Sequence, residues 1–166
     1  ILKKIKMKIK IEIIEDFLTI KECEHLINYY KDNQSMQKPH PVNHGKNIID
    51  VDITEIKEFN YLFKTINDHV YNQGCQIEYT KIVKWTDDCS QSLHVDESSS
   101  DTIYSSIIYL NHRYLGGQTF FEDGLIVRPI KGRALFFSGM HYKHGVMPVK
   151  KGPRYTLATW YKKGKK

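Results

Sequence analysis

The strongest constraint on the fold is a change of texture at about residue 76. Downstream, the chain is built of short β-branched and aromatic runs separated by turn residues, at 76–86, 102–110, 118–121, 124–129, 133–138 and 153–161. Runs this short cannot cover their own apolar faces, and six of them at this spacing predict a sandwich or barrel of strands. Upstream, the apolar residues recur with helical spacing instead. Thr19-Ile-Lys-Glu22 is a capping box, in which a hydroxyl and a carboxylate satisfy backbone N–H groups at a helix start. Cys23, Leu26, Ile27 and Tyr30 continue it as one apolar stripe. A second amphipathic helix is predicted from Ile56 to Tyr71, with Gly74 as its stop. Residues 8–14 alternate Lys or Glu with Ile as a strand does. Residues 32–50 are aperiodic and rich in turn formers, and read as a long surface loop. The predicted class is α+β: one domain over 1–166, with N-terminal helices flanking a β core at about 76–162.

Composition narrows the class further. A chain of 166 residues, 40% of them hydrophobic, buries roughly 70% of the surface its unfolded form exposes, enough for a core without disulfide staples. Cys23, Cys75 and Cys89 are odd in number and lack metal-finger spacing, so neither a disulfide framework nor structural zinc is expected. No run approaches the roughly 18 apolar residues of a membrane span, and the basic N-terminus lacks the continuous apolar stretch of a secretory signal. The expectation is a cytoplasmic protein with no membrane partner. The net charge of +6 comes from lysines crowded at both ends, which read as solvated termini and not as a nucleic-acid surface. Only four arginines occur, Arg113, Arg128, Arg133 and Arg154, so each merits inspection.

The chemistry starts at His94-Val-Asp96. On a strand, positions i and i+2 share a face roughly 6.6 Å apart, so an imidazole and a carboxylate can converge on one ion. A third ligand must come from a distant strand, and His141 and His144 are the candidates. Two histidines and a carboxylate with open positions form the facial triad of non-haem Fe(II) oxygenases. Arg154 opens the apolar run Arg154-Tyr-Thr-Leu-Ala-Thr-Trp-Tyr161. An arginine entering a core strand is costly without a partner, and its planar fork suits a carboxylate.

Taken together, residues 94–161 resemble the Fe(II)/2-oxoglutarate-dependent dioxygenase superfamily, most of all its prolyl 4-hydroxylase branch. The resemblance rests on His94-Val-Asp96, Gly116-Gly-Gln-Thr119, Lys131-Gly-Arg-Ala-Leu-Phe-Phe137, His144, Pro148 four residues on, Arg154 ten residues on, and Trp160 six beyond that. The stretch Asp16 to Leu26 is similar to the family's first helix, so nearly the whole chain is covered. The resemblance implies a double-stranded β-helix (jelly-roll) core. It implies that His94, Asp96 and His144 bind Fe(II) and that Arg154 holds the distal carboxylate of 2-oxoglutarate, with Thr119 assisting. Trp85, nine residues before His94, stands where the family carries a cosubstrate-binding Tyr, and it brings an N–H donor but no acceptor. Tyr79 and Tyr109 are further candidates for lining the cosubstrate site. Trp85, Trp160 and the 32–50 segment are candidates for substrate contact.

The implied reaction couples O2 and decarboxylation of 2-oxoglutarate to succinate and CO2 with hydroxylation of a protein or peptide residue. Proline is the implied target, and ascorbate the accessory reductant. Three alternatives stand beside it: a lysyl residue, a small molecule or nucleobase as substrate of the same chemistry, or a catalytically silent barrel serving as a binding module.

Overall fold

The computed structural model describes residues 10–41, 47–96 and 102–164. The first strand, β1 (Glu12–Ile14), leads into helix α1 (Ile20–Asp32) and then β2 (Lys38–Pro39) and β3 (Ile48–Asp52). Helix α2 (Asn60–Val70) precedes the long strand β4 (Cys75–Trp85) and then β5 (Gln91–His94) and β6 (Thr102–Tyr109). The remainder is all β: β7 (Leu115–Gly116), β8 (Thr119–Phe121), β9 (Ile126–Val127), β10 (Ala134–Phe137), β11 (His144–Val146), β12 (Val149–Lys150) and β13 (Arg154–Lys163). Seven strands form a major sheet in the order β1-β10-β6-β13-β4-β3-β2, and four form a minor sheet in the order β5-β11-β8-β9. The expected α+β class with a double-stranded β-helix core is what the chain adopts.

Period-2 alternation on the central strands sorts the two layers. Tyr155, Leu157 and Tyr161 of β13, with Ile82 of β4 and Ile108 of β6, pack in one apolar cluster with Leu26 and Tyr30 of α1 and Leu62 and Ile66 of α2. The helices therefore cover the outer face of the major sheet. Intervening residues on the same strands, among them Arg154, Thr156 and Trp160 of β13, turn toward a cavity on the inner face. Deeper between the sheets, Tyr109, Phe121, Leu135 and Phe137 form a second cluster.

The capping box forms as predicted. Thr19 Oγ1 accepts from the Glu22 N–H at 3.2 Å, and Glu22 Oε2 accepts from the Thr19 N–H at 2.7 Å. Helix α2 begins at Asn60, later than the predicted Ile56, because Lys57–Phe59 winds as a tighter 3-10 turn. Gly74 ends the helical stretch with φ 68°.

Over its described residues, 32–41 and 47–50, the segment 32–50 is not the surface loop its aperiodicity suggests. It carries a 3-10 turn at Gln34–Met36, strand β2 and the start of β3. Ile48 and Val51 of β3 are fully buried, and the strand pairs with β4 over five residues. The pattern escapes a sequence reading because Asp50, buried to 3% exposure, stands where alternation calls for an apolar residue. The run at 124–129 keeps only Ile126–Val127 as strand. Strands β5 and β11 arise in Gln-Ser-Leu-His and His-Gly-Val, which carry no strong strand signal of their own. The terminal lysine clusters fall largely on residues 1–9 and 165–166, outside the described residues, as does the start of the 8–14 run. No helix among the described residues is long and apolar enough to cross a membrane.

Replacing Thr19 by Ala removes one half of the capping box and should lower unfolding free energy by about 1 kcal/mol. Urea unfolding followed by circular dichroism reads this as a lower midpoint at unchanged slope.

Candidate active site

His94 closes strand β5 and His144 opens β11, and the two are direct antiparallel partners. This cross-strand pairing brings two residues that are fifty positions apart into contact, with ring centroids 4.4 Å apart. Asp96 follows β5, held by a bond from its N–H to the Gly139 carbonyl at 2.9 Å. Each imidazole is oriented in the same way, by the carbonyl two residues upstream. His94 Nδ1 meets the Ser92 carbonyl at 2.9 Å, and His144 Nδ1 meets the Tyr142 carbonyl at 3.0 Å. A carbonyl can only accept, so the proton sits on Nδ1 and Nε2 keeps its lone pair for the site.

Both Nε2 atoms face one oxygen, Asp96 Oδ1, at 3.6 Å from His94 and 3.5 Å from His144. The other oxygen, Oδ2, accepts from the Ser105 hydroxyl at 2.6 Å. The ligand atoms of His94, Asp96 and His144 thus lie within 4.8 Å of one another, a set able to hold a metal ion. Two neutral nitrogens and one carboxylate oxygen on one side of a cavity match a first-row divalent metal with positions left open. His141, the other candidate, turns away and bonds the Ser138 hydroxyl at 2.7 Å.

The electrostatics agree with an ionised carboxylate. Burial pushes the Asp96 carboxyl up, but the His144 and His94 imidazoles beside it and the hydrogen bond from the Ser105 hydroxyl outweigh it and hold it well below the usual carboxylate range. Burial likewise works against a charged His94, while Asp96 and the Ser92 carbonyl leave its pKa raised. Space is also tight: a Cβ on Gly139 would come within 2.3 Å of Asp96 Oδ2 and 2.2 Å of Ser105 Oγ.

Arg154 lies at the start of β13, opposite Trp85 on β4, and is 1% exposed. Its Nε donates to the Gly117 carbonyl at 3.0 Å. Its guanidinium sits 5.1 Å from the Trp85 ring centre and 5.5 Å from that of Tyr109. Nη2 is buried without a partner among the described residues. Such an uncompensated cation is costly in a protein interior, and a carboxylate arriving through the cavity would satisfy it. The Gly-Gly turn makes this seat possible. Gly116 and Gly117 both have positive φ, and a Cβ on Gly117 would meet the Arg154 Cδ at 3.0 Å.

A cavity of about 410 Å³ joins the His-Asp-His cluster to Arg154. Of the other residues singled out in the sequence, Trp85, Tyr79 and Trp160 line it. Tyr79 and Trp160 are cross-strand partners stacked at 4.8 Å. Trp85 is 4% exposed, packs with Ile48, Val83 and Val146, and keeps an Nε1 with no partner among the described residues. Thr119 and Tyr109 are fully buried and do not line the cavity. Their hydroxyls bond each other at 2.6 Å, and the Tyr109 ring lies 5.5 Å from the Arg154 guanidinium. Burial, opposed by Arg154, raises the Tyr109 phenol above its ordinary range.

Sequence reasoning missed the supports of this cluster. Ser105 and Gly139 act through contacts made only by folding, and the Ser92 and Tyr142 carbonyls belong to the backbone and leave no signal in residue type. It also missed Lys81, which lines the cavity, whereas the 32–50 segment singled out for substrate contact does bring His40 and Pro41 to the cavity wall.

The sequence model of the 2OG-Fe(II) oxygenase superfamily matches residues 80–162, half of the chain. Prolyl 3-hydroxylase 3 of Homo sapiens and prolyl 3-hydroxylase 1 of Gallus gallus are each 40% identical over 65 residues, 35% of this chain. The match spans only 9% of the length of those relatives. Among solved structures, a viral collagen prolyl hydroxylase from Paramecium Bursaria Chlorella virus-1, in its 2OG complex, is similar with a TM-score of 0.74 at 19% identity, covering 93% of this chain and 96% of that one. A prolyl hydroxylase from Trichoplax adhaerens, in complex with a hypoxia inducible factor oxygen degradation domain peptide fragment, gives 0.77 at 18% identity over 92% and 83%. A Pseudomonas putida prolyl-4-hydroxylase gives 0.73 at 18% identity over 95% and 94%. At such identities the structural likeness speaks for the fold, and the matched sequence model speaks for the family. The His-Asp-His cluster, the buried cation and the jelly-roll core thus meet in one assignment: the chain belongs to the 2OG-Fe(II) oxygenase superfamily.

Proposed function

We propose that this chain is an Fe(II)- and 2-oxoglutarate-dependent hydroxylase acting on prolyl residues of a protein or peptide. The single observation that carries the reading is the pairing of the His94, Asp96 and His144 ligand atoms with an unsatisfied, buried Arg154 across one cavity. His94, Asp96 and His144 would hold Fe(II), and Arg154 would receive the distal carboxylate of 2-oxoglutarate. Metal and cosubstrate, when bound, supply the oxidising power, coupling O2 and decarboxylation to succinate and CO2 with insertion of a hydroxyl group.

The protein residues prepare that chemistry. The Ser92 and Tyr142 carbonyls fix each imidazole tautomer, and Ser105 fixes the Asp96 rotamer, so the ligands need no reorganisation when metal arrives. Trp85 walls the cosubstrate end and offers an N–H donor. Thr119 and Tyr109 act from behind, keeping the arginine pocket dry and rigid. Tyr79 and Trp160 form an aromatic wall suited to a pyrrolidine ring. Prolyl hydroxylases among both the curated relatives and the solved neighbours support proline as the target, and the peptide held by the Trichoplax protein supports a peptide substrate.

The test is succinate formation followed by NMR with Fe(II), ascorbate and 2-oxoglutarate, with proline-bearing peptides and lysine-bearing controls. Wild type should turn over faster with a proline peptide, and analysis of the product distinguishes a 3-hydroxyl from a 4-hydroxyl. His94→Ala and Asp96→Ala should each abolish turnover and weaken metal binding by at least tenfold, measured by titration with Co(II). Wild type no faster than these variants, with folding and iron loading verified, overturns the reading.

Replacing Arg154 by Met should raise the 2-oxoglutarate Kd by roughly two orders of magnitude, the equivalent of two charge-assisted hydrogen bonds at about 1.5 kcal/mol each. The same change removes a buried cation without an ionic partner, so the thermal midpoint of the cosubstrate-free protein should not fall. Calorimetric titration and differential scanning calorimetry read the two effects separately.

A further inference from the structure

The end of the cavity away from Arg154 carries a second polar cluster. His40 and Asp50 are 8% and 3% exposed, and His40 Nδ1 meets Asp50 Oδ2 at 2.7 Å. Lys81 Nζ donates to the same oxygen at 3.2 Å. The three come from different elements. Asp50 lies on β3 and Lys81 on β4, and His40 follows β2, its backbone N–H bonded to the Ile48 carbonyl at 2.8 Å. His40 and Lys81 both line the cavity.

This cluster reaches the aromatic wall directly. The His40 ring stacks on Trp160 at 6.1 Å with an interplanar angle of 29°, and Tyr79 stacks on Trp160 at 4.8 Å and 26°. A continuous series of contacts therefore runs from Lys81 through Asp50 and His40 to the indole and on to Tyr79. A buried carboxylate with two partners gains little stability over well-packed apolar residues of the same volume. Its placement beside a ligand cavity points to a role in holding the wall.

The charge of the cavity adds the selectivity. An aromatic wall alone attracts cations as well as apolar rings. Here the lining carries Lys81 and Arg154 against Asp96 as its carboxylate among the described residues, and Asp50 behind the lining is paired with Lys81. A lysyl ammonium brought to Trp160 would find the Asp50 carboxylate already held by His40 and Lys81, and so no free counter-charge beside the wall among the described residues. A neutral pyrrolidine ring needs none.

We propose that His40, Asp50 and Lys81 are the positioning and specificity element of the substrate site: they lock Trp160 to receive a prolyl ring and exclude lysyl side chains. This inference rests on the hydroxylase reading above and names its selectivity. His40 and Asp50 set the pose of the wall, and Lys81 occupies the carboxylate with which a lysyl ammonium would otherwise pair.

The experiment titrates two peptides, identical except for Pro or Lys at the target position, into Zn(II)- and 2-oxoglutarate-loaded protein, reading tryptophan fluorescence. Wild type should bind the proline peptide at least tenfold more tightly than the lysine peptide. His40→Ala and Asp50→Asn should each weaken proline-peptide binding by roughly tenfold, the loss of one hydrogen bond to a charged group. Affinity for 2-oxoglutarate should hold within twofold, because Arg154 lies at the other end of the cavity. In turnover the loss should fall on peptide KM more than on kcat. Lys81→Met should narrow the discrimination between the two peptides while His40 still partners Asp50. Circular dichroism and Co(II) titration on each variant separate misfolding from a specific effect. Unchanged proline-peptide binding in folded His40→Ala and Asp50→Asn overturns the proposal, as does wild-type binding of both peptides with equal affinity. Wild type that binds 2-oxoglutarate but neither peptide overturns the prolyl assignment and this element with it. Failure to bind 2-oxoglutarate at all overturns the oxygenase reading on which both stand.

Discussion

Strand β13 lies between β4 and β6, and the alternation of its side chains governs the molecule. One set of its residues enters the apolar cluster beneath the helices, and the other set forms part of the cavity wall. A slip of one residue in this register would send Arg154 under the helices and Leu157 into the active site, so core and site enforce the same alignment. The ten paired positions between β13 and β4 give that register its rigidity. Each end of the cavity is then anchored on the same two strands: Arg154 against Trp85 at one, Trp160 against Tyr79 at the other.

The minor sheet supplies what the major sheet lacks. Its strands are only two to four residues long, yet the pairing of β5 with β11 sets His94 opposite His144. The short strands gain their stability from the inter-sheet cluster, where Phe137 meets the His144 ring edge to face at 4.7 Å. Metal-ligand geometry and core packing are therefore one arrangement. The three side chains able to hold a metal are positioned by backbone carbonyls and by the Ser105 hydroxyl, which is how such a cluster keeps its geometry on weak local structure.

Polar groups are buried in this fold where a ligand is expected, and they are satisfied to different degrees. Asp96 and Asp50 each have partners in place. Arg154 and Trp85 each retain a buried nitrogen with none among the described residues. The contrast separates groups whose partners the fold supplies from groups whose capacity it leaves open, which under the proposed function the cosubstrate would fill.

Much of this was legible in the residues themselves. The capping box at Thr19 and Glu22, the two amphipathic helices and the long strands at 76–86, 102–110 and 153–161 are local patterns, written in spacing that neighbouring residues enforce on each other. His94, Asp96, His144 and Arg154 could be named because their chemistry is costly away from a ligand and their separations match a known family. What the chain alone did not reveal was decided by contacts between distant segments. Strand β3 hides a buried Asp50 in an otherwise apolar pattern because its partners, His40 and Lys81, are ten and thirty-one residues away. The Thr119 and Tyr109 hydroxyls meet, and Ser105 and Gly139 become supports of Asp96, because the pleat and register of paired strands, and not residue type, choose which groups meet.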